Sequence, residues 1–310
     1  MIHATLHQLI VFEATARHGS FTRAAEELSI TQPTVSTQMK QLTKSVGLPL
    51  FEQIGKRLYL TEAGRSLLVT CQAVLKDLDN FEMAIADIKG IKQGKLRLAA
   101  VSTAQYLIPQ ILGPFCQQYQ GVDVSLELTN HQDLETRMIN NVDDLYILSE
   151  PPQELNLEIQ PFLENPLVVI ARKDHPLAGQ KKIPIKRLQG EPFIMREMGS
   201  GIRRAVQQIF LDHGITLSVR LEIGNNEAIK QAIAGGLGIS VLSQHVLNLD
   251  HPNGEFTILD VEDFPIQRHW YVVYPKDKKL SVIAKTFLDY LLSGDVRVYV
   301  PRDLRSNRIR

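Results

Sequence analysis

Two sets of polar residues in this 310-residue chain have the types and spacing to do chemistry. The first is Thr31, Gln32, Thr34, Ser36, Thr37 and Lys40, grouped around Pro33, a residue suited to the first turn of a helix because its missing N–H is not needed there. Val35, Met39, Leu42 and Val46 recur at spacings of four, three and four, so they take the inward side of that helix and leave the polar group outside. Hydroxyls, an amide and a lysine on one helix face fit the major groove of double-stranded DNA, where amides and hydroxyls read base edges and cations meet phosphates. The second set is Ser102-Thr103, Asn130-His131, Gly199-Ser200-Gly201 and Asn225-Asn226-Glu227, each at or next to the start of a predicted helix. Helix N-termini present free N–H groups to an anion, and Arg196 and Arg203 could add the fixed charge that a phosphate or dicarboxylate needs. Each segment alone also reads as an ordinary helix cap; their recurrence favours a cleft.

Positioning the first set takes a small helical domain, residues 1 to 62. A helix over residues 5 to 18 carries Leu6, Leu9, Ile10, Glu13 and Ala14, and a second over Thr22 to Leu28 offers Ala24, Ala25 and Leu28 as a small apolar face, with Ser20 as cap. Ser29-Ile30-Thr31-Gln32 breaks the period before the third helix, which Thr31 or Gln32 caps. Ala25, Ser29 and Val35 fall where a helix-turn-helix needs a small residue, a turn residue and a buried aliphatic. Two amphipathic helices around a polar turn also fit an ordinary bundle. The stretch Leu50 to Leu60 tips the balance, because it reads as strand, glycine-basic turn and strand, a wing with Lys56 and Arg57 at its tip.

From 63 to 90 the pattern changes. Leu67, Cys71, Val74, Leu78, Phe81, Ile85 and Ile88 alternate spacings of four and three, an a/d seam that predicts a long linker helix pairing with a second copy. A helix lying on its own domain's core is the alternative. Gly90 and Gly94 then punctuate a hinge. Beyond it, residues 91 to 310 alternate predicted strands (96–101, 122–128, 144–148) with helices (106–119, 131–140), an order that implies a parallel sheet with helices on its faces. A second such set follows from Leu167, and a late strand (269–274) and helix (281–292) close the fold. The end of the chain carries Arg302, Arg305, Arg308 and Arg310 against Asp303, a solvated tail or an auxiliary phosphate-binding arm.

The runs Gly19-Ser20-Phe21, Ala24-Ala25-Glu26-Glu27-Leu28, Thr31-Gln32-Pro33-Thr34-Val35-Ser36, Leu48-Pro49-Leu50-Phe51-Glu52 and Leu60-Thr61-Glu62-Ala63-Gly64 resemble, in order, the signature of the LysR-type transcriptional regulators. Within that family, Ala14 to Ala25 and Gly55 to Thr61 look like the carbon-fixation and inorganic-carbon-responsive branch. The resemblance implies a multidomain α+β protein: a winged helix-turn-helix, a long linker helix, and a two-lobed α/β domain of periplasmic-binding-protein type. Lobe 1 would be about 91–163 and 268–296, lobe 2 about 164–267, with crossovers near 163 and 267 and a basic tail from 297. It implies an effector between the lobes, contacted by Ser102, Thr103, Asn130, Ser200 and Asn226. Ile202 departs from the threonine of many relatives and removes one hydroxyl. The branch implies an anionic carbon metabolite as effector, with 2-phosphoglycolate, 2-oxoglutarate, ribulose bisphosphate and NADPH as candidates. It also implies a homodimer to homotetramer, and RNA polymerase as a partner if the protein activates.

Composition bounds these readings. Lys plus Arg and Asp plus Glu each total 34, so any DNA affinity comes from a local patch and not from net charge. No run is apolar enough to span a bilayer, and a cytoplasmic protein without a membrane partner is expected. Cys71 and Cys116 form no CxxC, and no cluster of cysteines and histidines forms in the sequence, so neither disulfide nor metal is expected, and no cofactor. An enzyme would need a reactive constellation, and GxSxG, the P-loop, GxGxxG after a strand and HExxH are all missing. A regulator of another pathway, or a small-molecule-binding protein without DNA function, are the alternatives; the second leaves residues 1 to 62 unexplained.

Overall fold

The structure, a computed structural model, describes residues 3–54, 57–88, 93–247 and 254–293. Lys56, Gly90, the side chain of Ile88 and the arginine-bearing tail lie outside the described residues. The chain forms two compact units, residues 1–88 and 89–310.

The first unit runs α1 (Leu6–His18), α2 (Phe21–Glu27), α3 (Gln32–Val46), a hairpin of β1 (Phe51–Ile54) and β2 (Arg57–Leu60), then α4 (Glu62–Ile88). Side-chain caps set the first three helix starts. Thr5 and Gln8 form a reciprocal capping box on α1, Ser20 accepts from the Arg23 N–H, and Thr31 accepts from the Thr34 N–H. Gly19 ends α1 in the left-handed region with φ of 58°, and its carbonyl accepts the Leu58 N–H at 3.3 Å, tying the hairpin to the helices. Ser29 also takes a left-handed φ, 54°, at the turn between α2 and α3. Val35, Met39 and Leu42 are buried with Val11, Phe12, Ala24 and Ala25 in one core.

That core also corrects the heptad seam at its start. Cys71 is fully buried in the unit's own core, with Leu67 packed against it, and its thiol donates to the Leu9 carbonyl at 3.2 Å. Burial pushes this thiol up to about 11, so it stays protonated. Four seam residues remain exposed, Val74, Leu78, Phe81 and Ile85. The seam therefore changes role along one helix, from its own domain's core to a free apolar stripe.

The second unit begins with β3 (Gln93–Val101), a tight turn of 3-10 helix (Ser102–Tyr106), α5 (Ile108–Gln118), β4 (Gly121–Thr129), α6 (His131–Ile139), β5 (Leu145–Leu148) and β6 (Leu157–Glu164). The predicted helix over 106–119 thus starts later, behind the separate turn, with Pro109 in its first turn where no N–H is required. After crossing over, the chain forms β7 (Leu167–Arg172), β8 (Pro192–Arg196), α7 (Gly201–Asp212), β9 (Ser218–Ile223), α8 (Asn226–Ala234), β10 (Ser240–Ser243) and β11 (Phe256–Ile258). It then returns as β12 (His269–Pro275) and α9 (Val282–Leu292).

One sheet has the order β4-β3-β5-β12-β6, with β3 parallel to both β4 and β5. β12 is antiparallel to β5 and β6. In the other lobe β7 lies antiparallel between β10 and β11, and a bridge from Phe193 to Ile239 joins the parallel pair β8-β9 to it. Period-two alternation splits β7 between two cores. Leu167, Val169 and Ala171 meet Ile202, Val206 and Phe210 of α7, while Val168 and Ile170 meet Ile229 and Ile233 of α8. The crossovers run side by side: the Asn165 N–H donates to the Arg268 carbonyl at 2.7 Å, and Leu167 and Ile266 exchange bonds of 3.0 Å. Among the described residues no helix is long and apolar enough to cross a membrane, and no cluster of three or more His, Cys, Asp or Glu could hold a metal.

Candidate functional site

On α3 the polar face divides by what each group already holds. The Thr31 and Thr34 hydroxyls pair at 2.8 Å, and the Thr37 hydroxyl donates back to the Pro33 carbonyl at 2.9 Å. Gln32 and Lys40 are exposed, Ser36 is half-exposed, and none of the three has a hydrogen-bond partner among the described residues. Pro33 sits exposed in the first turn, and Arg57 is exposed at the start of β2.

In the second unit, the parallel strands β3, β4 and β5 all run toward one cavity of about 30 Å³, on that scale room for roughly two waters. Ser102, Thr103, Asn130, His131, Arg196, Ser200 and Gly201 line it, together with Val101, Thr129, Ser149, Glu197 and Ile202. Seven of the nine residues expected at an effector site are thus brought together. Two are not. Arg203 turns away, donating to the Arg196 carbonyl and to Glu222 on β9, where it braces β8 against β9. Asn226 lies buried behind the wall, accepting from Arg196 at 2.8 Å and donating to Thr103 at 3.2 Å.

Arg196 is the hinge pin of this arrangement and is not a free cation. Its guanidinium grips the neighbouring Glu197 through Nε at 2.7 Å and Nη2 at 2.8 Å, and Nη1 reaches Asn226 and Thr103. A buried arginine needs such a counter-charge, so its formal charge is cancelled at the cavity wall. Thr103 accepts twice here, which leaves its own proton to donate elsewhere. Asn130 caps α6 through the Asp133 N–H at 2.8 Å. His131 faces the Glu150 carbonyl at 3.0 Å and the Glu135 carboxylate at 3.1 Å.

The start of α7 differs from its neighbours. Asn130, Asn225 and Ser281 cap α6, α8 and α9 with their own side chains, but Ser200 makes no side-chain cap bond at α7 although it is buried. The N-terminus of a twelve-residue helix and a hydroxyl with no hydrogen-bond partner among the described residues thus face the cavity together, a combination that stabilises negative charge. Glu150 and Ser149 were readable from the sequence by the rule that selected Ser102 and Asn130, since they follow the third parallel strand. Glu197 carried no such signal.

A winged helix-turn-helix joined to a two-lobed α/β domain with a polar cleft defines a class of protein, the ligand-responsive transcriptional regulators. Residues 6–65 match the bacterial regulatory helix-turn-helix of the lysR family, and residues 89–295 match the LysR substrate binding domain. The chain belongs to the LysR family and is a DNA-binding transcriptional regulator. It is 54% identical to the HTH-type transcriptional activator CmpR of Synechocystis, covering 97% of this chain and 99% of that protein. It is 49% identical to the RuBisCO operon transcriptional regulator of Acidithiobacillus ferrooxidans, over 94% of each. Among solved structures, the CcmR regulatory domain of Synechocystis in complex with 2-PG is 61% identical with a TM-score of 0.63, covering 65% of this chain and 97% of that domain.

Proposed function

We propose that this regulator controls genes of inorganic carbon acquisition or carbon fixation, and that a small anionic carbon metabolite bound between its lobes switches it. The observation that carries the reading is the uncapped start of α7, with the partnerless Ser200 facing a cavity between lobes. A relative's domain, 61% identical, was solved with 2-PG, and this supports 2-phosphoglycolate as the first candidate ahead of 2-oxoglutarate, ribulose bisphosphate and NADPH. Ser102, Thr103, Asn130, His131, Arg196, Ser200 and Gly201 contact the effector, and Asn226 positions Arg196 and Thr103. The cleft binds and releases its ligand unchanged, with no cofactor.

On the DNA side, Gln32 and Ser36 read bases, Thr31, Pro33, Thr34 and Thr37 set the geometry of the helix start, and Lys40, Lys56 and Arg57 meet phosphates. The protein works in the cytoplasm as a dimer or tetramer, with Val74, Leu78, Phe81 and Ile85 as the pairing stripe. RNA polymerase is a partner where it activates. Calorimetry of the full chain against the four candidate effectors tests the ligand reading. One of them should bind with a stoichiometry of one per chain, and heats indistinguishable from dilution for all four would overturn it.

A further inference from the structure

Glu150 follows β5 in the first lobe, and its carboxylate reaches into the second. Oε2 lies 2.8 Å from Arg204 Nη2 on α7, Oε1 lies 3.4 Å from Arg204 Nε, and Arg268 at the crossover stands 3.5 Å away. The same Oε2 is 2.6 Å from where a Cβ on Gly201 would sit. A Cβ there would push the carboxylate off the first turn of α7, so glycine gives it the space to settle in this place. Burial pushes the Glu150 carboxyl up, but the Arg204 hydrogen bond and the charges of Arg204, Arg268 and His131 outweigh it, and the group ends below its ordinary value. An ionised side chain of this protein therefore already occupies the surroundings that an entering anion would seek. The adjoining cavity of about 30 Å³ is lined by Ser200 and Gly201 at the same helix start.

We propose that Glu150 is a specificity-determining residue of the cleft, an internal carboxylate holding the cross-lobe position that a ligand's second acidic group takes on binding. The proposal rests on the effector reading above. A ligand with one anionic group meets the Glu150 charge and offers nothing to Arg204 and Arg268 in exchange. A ligand with two can satisfy the start of α7 with one group and both arginines with the other, replacing the Glu150 tie between lobes by its own. The cleft so built selects doubly acidic ligands over single anions of similar size.

The test compares 2-phosphoglycolate with orthophosphate by calorimetry on the full chain and on two variants. In Glu150→Gln, orthophosphate, freed of the Glu150 charge, should bind about tenfold tighter while 2-phosphoglycolate gains about twofold or less, so that the ratio of affinities falls. In Arg204→Met the ratio should fall by about tenfold. Arg204 is 47% exposed, so this variant keeps the test open if Glu150→Gln fails to fold. An unchanged ratio in both variants, with normal binding by the wild type, overturns the role of Glu150 alone. Failure of the wild type and both variants to bind 2-phosphoglycolate overturns this proposal, whereas the effector reading itself falls only if the other three candidates fail as well.

Discussion

The outward face of α3 and the cleft of the second unit offer similar groups to an anion, hydroxyls, amides and cations, but hold them differently. On α3, Gln32, Ser36 and Lys40 stand without partners among the described residues, ready for a polyanion whose phosphates are always there to be met. In the cleft, Arg196 is clasped by Glu197 and Arg204 by Glu150. Binding DNA therefore adds contacts to an open surface. Binding an effector exchanges contacts already made, and an exchange across lobes can change their arrangement, which a simple addition need not do.

The variant that should break the contrast most severely is Arg196→Met. It strips Thr103 and Asn226 of a shared partner and leaves Glu197 unpaired beside a buried wall, costing about 3 kcal/mol, the low end for a broken buried pair because Glu197 stays partly exposed. Urea unfolding of the second unit should register that loss while the first unit is unaffected; a loss within error would mean the network does not hold the lobes. Next in size, Gln32→Ala should weaken cognate DNA about tenfold, in the range of one base contact, and leave random DNA and stability alone. Lys40→Ala should weaken both DNAs and lower the salt slope by roughly one phosphate's worth. Equal loss on both DNAs for Gln32→Ala would remove its base-reading role.

Ser200→Ala should separate effector binding from stability. A hydroxyl without a hydrogen-bond partner among the described residues can be removed at no cost in stability, yet its loss should weaken the effector about fivefold, near 1 kcal/mol for one hydrogen bond. A lowered unfolding midpoint would show that Ser200 has a structural duty instead. The smallest effect concerns the first unit's surface. The Glu27 carboxyl is held at about 2 by hydrogen bonds from Arg17 and His18, against an ordinary value of 4.5. Its stabilisation is whole above 4.5 and fades as pH falls toward 2. Glu27→Gln should be slightly less stable than wild type at pH 6 in thermal unfolding, with the gap closing by pH 2.

These two regions also differ in how far the sequence reveals them. The helix-turn-helix is local: caps, Pro33 and the Val35, Met39, Leu42 spacing all lie within one short stretch, so α2, α3 and the hairpin were readable residue by residue. The cleft's polar groups were readable too, because each sits at a strand end or helix start. Their charge partners were not, since Glu150 and Arg204 come from different lobes and no spacing links them. The role expected of Arg203 fails for the same reason, its partner Glu222 lying on a neighbouring strand. β6 escaped because Pro161 interrupts it; an edge strand tolerates proline, and the ladder shifts register there opposite Trp270 and Tyr271. The seam on α4 was read with one function throughout, whereas Leu67 and Cys71 face their own domain.

Occupancy of the cleft should be felt at the DNA. The direct measurement is the affinity and footprint of the full chain on its operator, titrated with 2-phosphoglycolate, for wild type and Ser200→Ala. The wild type should change its DNA affinity or the length of its footprint as the effector saturates, and the variant should make the same change at about fivefold higher effector concentration. Identical affinity and footprint with and without saturating effector in the wild type would contradict it.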